Sequence, residues 1–157
     1  MSNGEVKLEI EQLLTDYVEC LDEDRLEEWP EFFSEDGVYR VVSRENADRN
    51  LPLATLSCES KAMMLDRVTA IRNASVFSPR YLRHLVSGLR VRGPEAGAYL
   101  AQASYVVFQT MEGGETAVFN AGRYVDKIVF ADGQAKFKEK IVIYDGARIP
   151  GLLVIPL

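Results

Sequence analysis

The spacing of apolar residues divides the chain into a helical first half and a β-rich second half. Near the N-terminus, apolar side chains recur at steps of three and four residues. This spacing is typical of an amphipathic helix and predicts one from about Glu5 to Asp22. Burial of this face, at about 1.5–3 kcal/mol per side chain, would hold the helix against a sheet. The face consists of Ile10, Leu13, Leu14, Tyr17, Val18 and Leu21.

A short aromatic segment follows and predicts a second helix from Arg25 to Phe33. The segment contains Trp29 and Pro30, and because proline is tolerated only in a first turn or at a break, we expect this helix to be bent. A strand is then predicted from Val38 to Ser43. A long helix, a short aromatic helix and a strand, in this order, are typical of a cone-shaped α+β domain in which the short helix closes the open end of a curved sheet.

The region after this strand predicts a surface loop and a third helix. The stretch from Arg44 to Ser57 begins with polar residues and contains Pro52, so we expect a long loop of the kind that often forms contacts. Helical spacing resumes from Lys61 to Asn73, with Ser60 as the expected N-cap. We therefore expect the third helix to pack on the same core.

The second half of the chain predicts a meander of long strands. The connections contain Gly93-Pro94 and Ala96-Gly97, then Gly113-Gly114, then Asp132-Gly133, and such links suit antiparallel hairpins. Long strands twist and coil, so about three helices on the concave face would complete the cone. The predicted strands are Tyr81–Arg92, Tyr99–Met111, Thr116–Phe130 and Ala135–Tyr144.

We predict a single domain over residues 1–157, with a helical part at about 5–73, a sheet at about 81–144 and an apolar tail at 145–157. The tail contains Leu152, Leu153 and Ile155. Chain ends are seldom apolar when they are solvated. Two alternatives remain open: the tail folds back over the chain's own helices, or it covers a subunit interface.

Composition excludes several classes of function. The net charge is −6 and the basic residues are scattered, which argues against nucleic acid as a partner. The N-terminus lacks the apolar core of a signal peptide, and no run approaches the roughly 18 apolar residues of a membrane helix. We therefore expect a cytoplasmic protein that does not bind membranes.

The single histidine limits metal chemistry. A Rieske cluster takes two His and two Cys ligands, and a mononuclear non-haem iron site takes two His and a carboxylate, so one copy of this chain can supply neither. Cys20 and Cys58 fit neither a zinc motif nor a disulfide framework. Signatures of nucleotide binding and of a serine nucleophile are missing. We expect no cofactor and no metal in this chain.

Three polar residues on predicted strands are candidates for chemistry. His84 alternates with Leu82 and Val86, so it is either a general base in a pocket of the cone or a packed, hydrogen-bonded side chain. Asp126 and Glu139 also alternate with apolar residues and either acid could run proton transfer. The alternative is a structural ion pair with an arginine. The arginines considered as partners are Arg80, Arg83, Arg90, Arg92 and Arg123.

Four blocks carry a resemblance to a known family: LEEWPEFFSEDGVYRV, SRENADRNLPLATLS, MLDRVTAIRNA and RYLRHLVSGLRV. They resemble the small, or beta, subunit of aromatic-ring-hydroxylating (Rieske non-haem iron) dioxygenases, over almost the whole chain. The most specific parts are the block from Trp29 to Tyr39, Asp66-Arg67 and Arg83-His84. Within the family, the chain is similar to small subunits that serve carboxylated rings of the salicylate, terephthalate and halobenzoate kind.

The resemblance implies an NTF2-like (cystatin-like, SnoaL-like) cone and an α3β3 hexamer. In such a complex the large subunit holds the Rieske [2Fe-2S] cluster and the mononuclear Fe(II), and reductase and ferredoxin components supply electrons. The small subunits form a trimer and have a structural role. No catalytic residue carries over, and Trp29, Asp66, Arg67, Arg83 and His84 are expected to support the fold or an interface, together with the apolar tail.

One rival interpretation follows from the fold alone. The chain would be a stand-alone isomerase, dehydratase or cyclase, with His84 and an inward Asp126 or Glu139 in the pocket of the cone. A third possibility is a module that binds a small molecule in the same pocket without chemistry. A polar cavity containing a histidine and a carboxylate would favour these interpretations over the assembly role.

Overall fold

The computed structural model describes residues 1–51, 53–74, 80–146 and 155–157. The helices are α1 (Asn3–Asp22), a 3-10 helix (Leu26–Phe32), α2 (Arg44–Asp48) and α3 (Lys61–Asn73). The strands are β1 (Phe33–Ser43), β2 (Leu56–Cys58), β3 (Arg80–Glu95), β4 (Ala98–Met111), β5 (Thr116–Ala131) and β6 (Gln134–Tyr144).

The strands form one curved sheet in the order β2-β1-β6-β5-β4-β3. Only the β1–β6 pair within it is parallel, and the other neighbours are antiparallel. Helix α1 packs against β3 and β6, while α3 and the 3-10 helix pack against β1. This arrangement confirms the predicted α+β cone. Among the described residues, no helix has the length and apolarity needed to span a bilayer.

Helix α1 begins two residues earlier than the apolar spacing predicts. Ser2 caps the helix: its hydroxyl accepts from the Glu5 backbone N–H at 3.3 Å, and the Glu5 carboxylate accepts from the Ser2 N–H at 2.6 Å. This reciprocal capping box satisfies donors that would otherwise be unpaired at the helix start. The sequence signal was therefore the Ser-x-x-Glu pattern rather than the apolar stripe.

Strand β1 starts at Phe33, earlier than the predicted Val38, and its pairing with β6 is irregular between these two residues. Gly37 lies within this irregular segment and allows the backbone to approach Phe33 closely, since a Cβ atom at Gly37 would lie 2.6 Å from the Phe33 Cβ. A glycine is needed for that close approach. The early start brings Phe33 into the core beside Phe137, with ring centroids 5.5 Å apart.

The prediction of one long loop from Arg44 to Ser57 was wrong. The segment forms the short helix α2 and the strand β2, which pairs with β1. Ser43 caps α2 by accepting from the Asn46 N–H, a local signal that the polar composition obscured. Strand β2 is too short for its alternation to be detected against the surrounding residues.

The third helix and the hairpins agree with the sequence. Ser60 caps α3 as predicted, accepting from the Met63 N–H at 3.2 Å. The turns at Ala96-Gly97 and Asp132-Gly133 have positive φ at both residues, as tight hairpins require. Gly93-Pro94, however, lies inside β3 rather than in a loop. Proline is tolerated there because β3 is an edge strand of the described sheet and its register is irregular at that point.

Candidate functional site in the interior of the cone

In the part of the chain that the structure describes, four polar or charged side chains lie buried inside the cone, in an interior that is otherwise apolar and aromatic. They are His84, Asn120, Asp126 and Lys140. The first lies on β3, the next two on β5 and the last on β6, and all point to the concave face. Buried polar groups are costly unless they are hydrogen-bonded, so the partners of each residue decide what the interior can do.

His84 is held by the carboxylate of Asp22 at the C-terminal end of α1. The Nδ1 atom of His84 lies 2.6 Å from Asp22 Oδ1, and the His84 backbone N–H donates to Asp22 Oδ2 at 2.8 Å. The imidazole is completely buried and the Asp22 side chain is 10% exposed. Both oxygens of one carboxylate thus connect the end of α1 to β3. We call this arrangement the Asp22–His84 clamp.

The clamp resembles the histidine–carboxylate pair of a general base, but the His84 ring is completely buried. With Nδ1 bonded to a carboxylate, Nε2 is the atom that would take a proton. His84 Nε2 is buried and has no hydrogen-bond partner in the part of the chain that the structure describes. The same holds for the Tyr124 hydroxyl and for Asp126 Oδ1.

Lys140 and Asp126 form a buried ion pair inside a cage of aromatic rings. The Lys140 Nζ atom lies 3.0 Å from Asp126 Oδ2. It also lies 3.5 Å from the ring centroid of Tyr124, and 4.5 Å and 4.7 Å from those of Phe137 and Tyr17. Cation–π attraction and the carboxylate offset part of the ammonium group's lost hydration.

Burial shifts the pKa of Asp126 and that of Lys140 in the directions that favour the neutral form of each side chain. Desolvation raises the pKa of Asp126 to about 6, against the opposing pull of Lys140. Desolvation likewise lowers the pKa of Lys140, against the attraction of Asp126. The pKa values of Tyr17 and Tyr124 are raised well above the usual value, primarily by burial. These hydroxyls therefore stay protonated at neutral pH.

The expectation that Asp126 pairs with an arginine was wrong, because its partner is Lys140. Sequence reasoning missed this lysine since it stands in the polar run Lys138-Glu139-Lys140. A signal was present: Lys140 is in phase with Val142 and Tyr144, which also face inward. The pairing of Asp126 with Lys140 across β5 and β6 completes the contact.

Glu139 does not enter the cone. Its carboxylate is partly exposed and lies 3.9 Å from Arg40 and 3.7 Å from Lys127. The alternation with Phe137 fails because the β5–β6 register shifts between Lys127 and Ile128. A bulge of this kind reverses the faces of the residues beyond it. Glu139 is thus removed from the set of candidate catalytic residues by its position on the outer face.

The last residue of the sequence, Leu157, lies in the aromatic interior beside Tyr17 of α1 and Tyr39 of β1. Leu157 is completely buried. Its backbone oxygen accepts from the Tyr17 hydroxyl at 2.8 Å and from the Tyr39 hydroxyl at 3.4 Å, and its N–H donates to Tyr39 at 2.9 Å. Trp29 Nε1 donates to Tyr17 at 3.3 Å. Of the two alternatives for the apolar tail, residues 155–157 follow the first, because they fold back onto the chain's own core. Leu152 and Leu153 lie outside the described residues.

The residues expected to support the fold or an interface fall in different places. Trp29 is fully buried in the aromatic cluster, and Ile155 packs against the core. Arg67 is partly buried on α3, while Asp66 is exposed on the same helix. Arg83 is exposed on the outer face of β3. Their proposed roles in an interface stay predictions.

A cleft of about 680 Å³ lies beside the C-terminal end of α1. The end of α1, the end of α3, the start of β3 and Ile155 form its walls. Asp22 and Leu82 line this cleft, whereas neither His84 nor the residues around Lys140 are among its described lining residues. Within the described residues, no group of three or more His, Cys, Asp or Glu side chains is placed to hold a metal ion.

The raised pKa of Asp126 predicts an unusual pH dependence. The folded state binds this proton more readily than the unfolded state, whose value is near the ordinary 3.8. The contribution of Asp126 to the free energy of unfolding is therefore full below about pH 4 and is lost as the pH rises through about 6. Relative to Asp126→Asn, the wild type should gain about 1–3 kcal/mol between pH 7 and pH 4. Urea unfolding of both proteins measures this, and a pH-independent difference would contradict it.

Comparisons with known proteins identify the family to which this chain belongs. Residues 4–140 match the family model of the SnoaL-like domain. The anthranilate 1,2-dioxygenase small subunit of Burkholderia cepacia is 40% identical over 149 residues, which are 95% of this chain and 92% of that protein. The chain belongs to the small subunits of aromatic-ring-hydroxylating dioxygenases.

Further relatives agree with this membership. The beta 2 subunit of the terminal oxygenase component of terephthalate 1,2-dioxygenase from Comamonas sp is 31% identical over 90% of this chain and 92% of that protein. The crystal structure of the beta subunit assigned to a ring-hydroxylating dioxygenase of Novosphingobium aromaticivorans superposes with a TM-score of 0.89. It is 42% identical and covers 98% of both chains. The relatives are subunits of dioxygenases, and this chain is likewise a subunit of an oxidoreductase complex.

Proposed function

We propose that this small subunit is a non-catalytic, structural component of an oxygenase that hydroxylates a carboxylated aromatic ring in aromatic catabolism. The relatives named for anthranilate and terephthalate support the ring type, because both named compounds are aromatic carboxylates. The large subunit would hold the Rieske cluster and the mononuclear iron, with an α3β3 hexamer, a trimer of small subunits and separate reductase and ferredoxin components. The complex would work in the cytoplasm.

The observation that carries the structural role is the filled interior of the cone. A cone that binds a substrate needs space at its centre, but here Lys140, Leu157 and the aromatic rings occupy it. The candidate base His84 is fully buried, with its Nδ1 used in the clamp. These contacts support a structural role for the cone rather than an active site in its interior.

The rival enzyme interpretation is favoured by one observation, the histidine–carboxylate pair itself. A general base typically contributes 10²–10⁴-fold to the rate. In our proposal the pair instead connects α1 to β3, and its loss affects folding and not a chemical step. The two interpretations therefore differ in what the unpartnered Nε2 atom does.

His84→Asn separates these interpretations, because asparagine keeps a side-chain N–H donor close to the position of Nδ1 and removes Nε2. We expect assembled complexes containing His84→Asn to turn over within about twofold of wild type per iron–sulfur cluster, well inside the 10²–10⁴-fold scale of a lost base. The measurement is product formation by purified complexes normalised to cluster absorbance. A fully assembled complex slowed a hundredfold or more would show that Nε2 takes part in the reaction.

A further inference from the structure

Leu157 is completely buried in the aromatic interior although it belongs to no helix or strand. Buried backbone groups in proteins are most often paired with other backbone groups, in helices, sheets and turns. Among the described residues, the backbone N–H and the backbone oxygen of Leu157 are instead paired with side-chain hydroxyls. Leu157 is therefore held in the way that a protein holds a bound molecule.

Three different elements supply the polar groups around Leu157. Tyr17 of α1 donates its hydroxyl hydrogen to the Leu157 oxygen at 2.8 Å. Tyr39 of β1 accepts from the Leu157 N–H at 2.9 Å and donates to the same Leu157 oxygen at 3.4 Å. Trp29 of the 3-10 helix donates to the Tyr17 hydroxyl at 3.3 Å, which leaves the hydrogen of that hydroxyl directed at Leu157. We call the space between Tyr17, Trp29 and Tyr39 the Leu157 pocket.

The walls of the Leu157 pocket are held in place by contacts that do not involve Leu157. The rings of Trp29 and Tyr39 meet edge to face with centroids 5.1 Å apart, and Tyr17 meets Phe137 of β6 in a similar way at 5.3 Å. Such aromatic pairs are favourable in themselves. The pocket is therefore pre-organised, and pre-organisation lowers the cost of binding.

These contacts define the class of molecule that the pocket recognises. Tyr17 offers a hydrogen-bond donor and Tyr39 an acceptor, and burial raises the pKa of both hydroxyls, so they stay protonated. The aromatic surroundings suit a branched aliphatic group of the size of a leucine side chain. A charged group would be costly there. The matching ligand is neutral and carries an amide N–H and a carbonyl next to the aliphatic branch.

The segment that carries Leu157 also marks a route into the pocket. Ile155 is partly buried and lines the cleft beside the end of α1, whereas Pro156 and Leu157 are buried. Residues 155–157 thus run from the cleft into the aromatic interior. Their removal would connect the cleft to the Leu157 pocket.

We propose that the Leu157 pocket is a binding site for a neutral, branched aliphatic amide, and that Leu157 is a tethered ligand that keeps the site closed. Because a tethered group has a high effective concentration, a free ligand competes poorly with Leu157 in the wild type. This binding capacity goes beyond the proposed structural role. It belongs to the small subunit alone, so its test does not depend on a large subunit.

The test adds N-acetylleucinamide to a chain that lacks residues 155–157 and to the full-length variant Leu157→Gly. N-acetylglycinamide is the matched control compound, because it keeps the amide groups and lacks the aliphatic branch. Trp29 is the single tryptophan of the sequence, so its fluorescence reports on the pocket. We expect N-acetylleucinamide to change this fluorescence and raise the melting temperature, with a dissociation constant on the order of 1–10 mM. N-acetylglycinamide should bind at least about tenfold more weakly.

Tyr39→Phe in the chain without residues 155–157 keeps the ring and removes the acceptor, so we expect it to weaken binding about three- to tenfold. Circular dichroism checks the folding of each variant. Folded variants whose fluorescence and melting temperature do not respond to N-acetylleucinamide would overturn the proposal, as would equal binding of the two compounds. If a variant is unfolded, N-acetylleucinamide should restore its dichroism, and failure to restore it would count equally against the site.

Discussion

Lys140→Met is expected to lower the free energy of unfolding by about 3–5 kcal/mol, because it removes the only ion-pair partner of a buried carboxylate among the described residues. Methionine fills much of the space of lysine, so the loss is primarily electrostatic. Asp126 is almost completely buried and would remain in the aromatic interior without Lys140. Urea unfolding monitored by circular dichroism at neutral pH gives the measurement.

Two further variants separate this effect from a general sensitivity of β6. Lys138→Met alters an exposed lysine on the same strand, and we expect a change within about 0.5 kcal/mol. Lys140→Met/Asp126→Leu removes both charges and should recover much of the lost stability, because an apolar pair can replace a buried ion pair. If the double variant is as unstable as Lys140→Met alone, packing rather than charge holds this part of the cone.

Asp22→Ala is expected to cost about 2–4 kcal/mol, since an unsatisfied buried donor typically costs about 1–3 kcal/mol. Asp22 accepts from both the backbone N–H and Nδ1 of His84, and His84 is buried. Without the carboxylate, both donors lose their partner and α1 loses its polar connection to β3. Thermal and urea unfolding of the isolated chain measure the effect.

Glu19→Ala is the matched control for Asp22→Ala, because Glu19 is an exposed acid on the same helix. Its replacement should change stability by less than about 0.5 kcal/mol. Equal losses from the two substitutions would indicate that helix charge, and not the clamp, explains the role of Asp22.

The helices and hairpins could be predicted from the sequence because their signals are local. The stripe of α1 and the Ser60 cap of α3 lie within a few residues of the features they specify. The tight turns likewise depend on Ala96-Gly97 and Asp132-Gly133 themselves. Strand β2 and helix α2 were missed because each is too short for periodicity to identify.

The interior of the cone could be predicted only in part, because its contacts join distant residues. Alternation identified His84 and Asp126 as candidates for inward positions without deciding between them and Arg83 or Glu139. Asp22 is 62 positions from His84, and no pattern connects them. The register shift between Lys127 and Ile128 placed Glu139 outside and Lys140 inside. A bulge depends on the pairing of two strands, so one strand read alone does not reveal it.

The sequence shows that the outer face of the sheet carries apolar residues, but not that they are exposed. Leu85, Val106 and Phe108 alternate with inward residues, so both faces of β3 and β4 read as apolar. Strands that are apolar on both faces are usually buried on both. Their exposure here becomes informative only once the sheet shows that no described helix covers them.

The central claim is that this chain is the small subunit that assembles with an iron-containing large subunit and supplies no catalytic group itself. The most direct test is to capture the tagged chain from cells that express its pathway, and to record the masses and the visible absorption spectrum of the captured material. We expect a second, larger polypeptide together with an iron–sulfur spectrum. A colourless assembly of this chain alone would contradict the claim and direct attention to His84 and the cleft beside it.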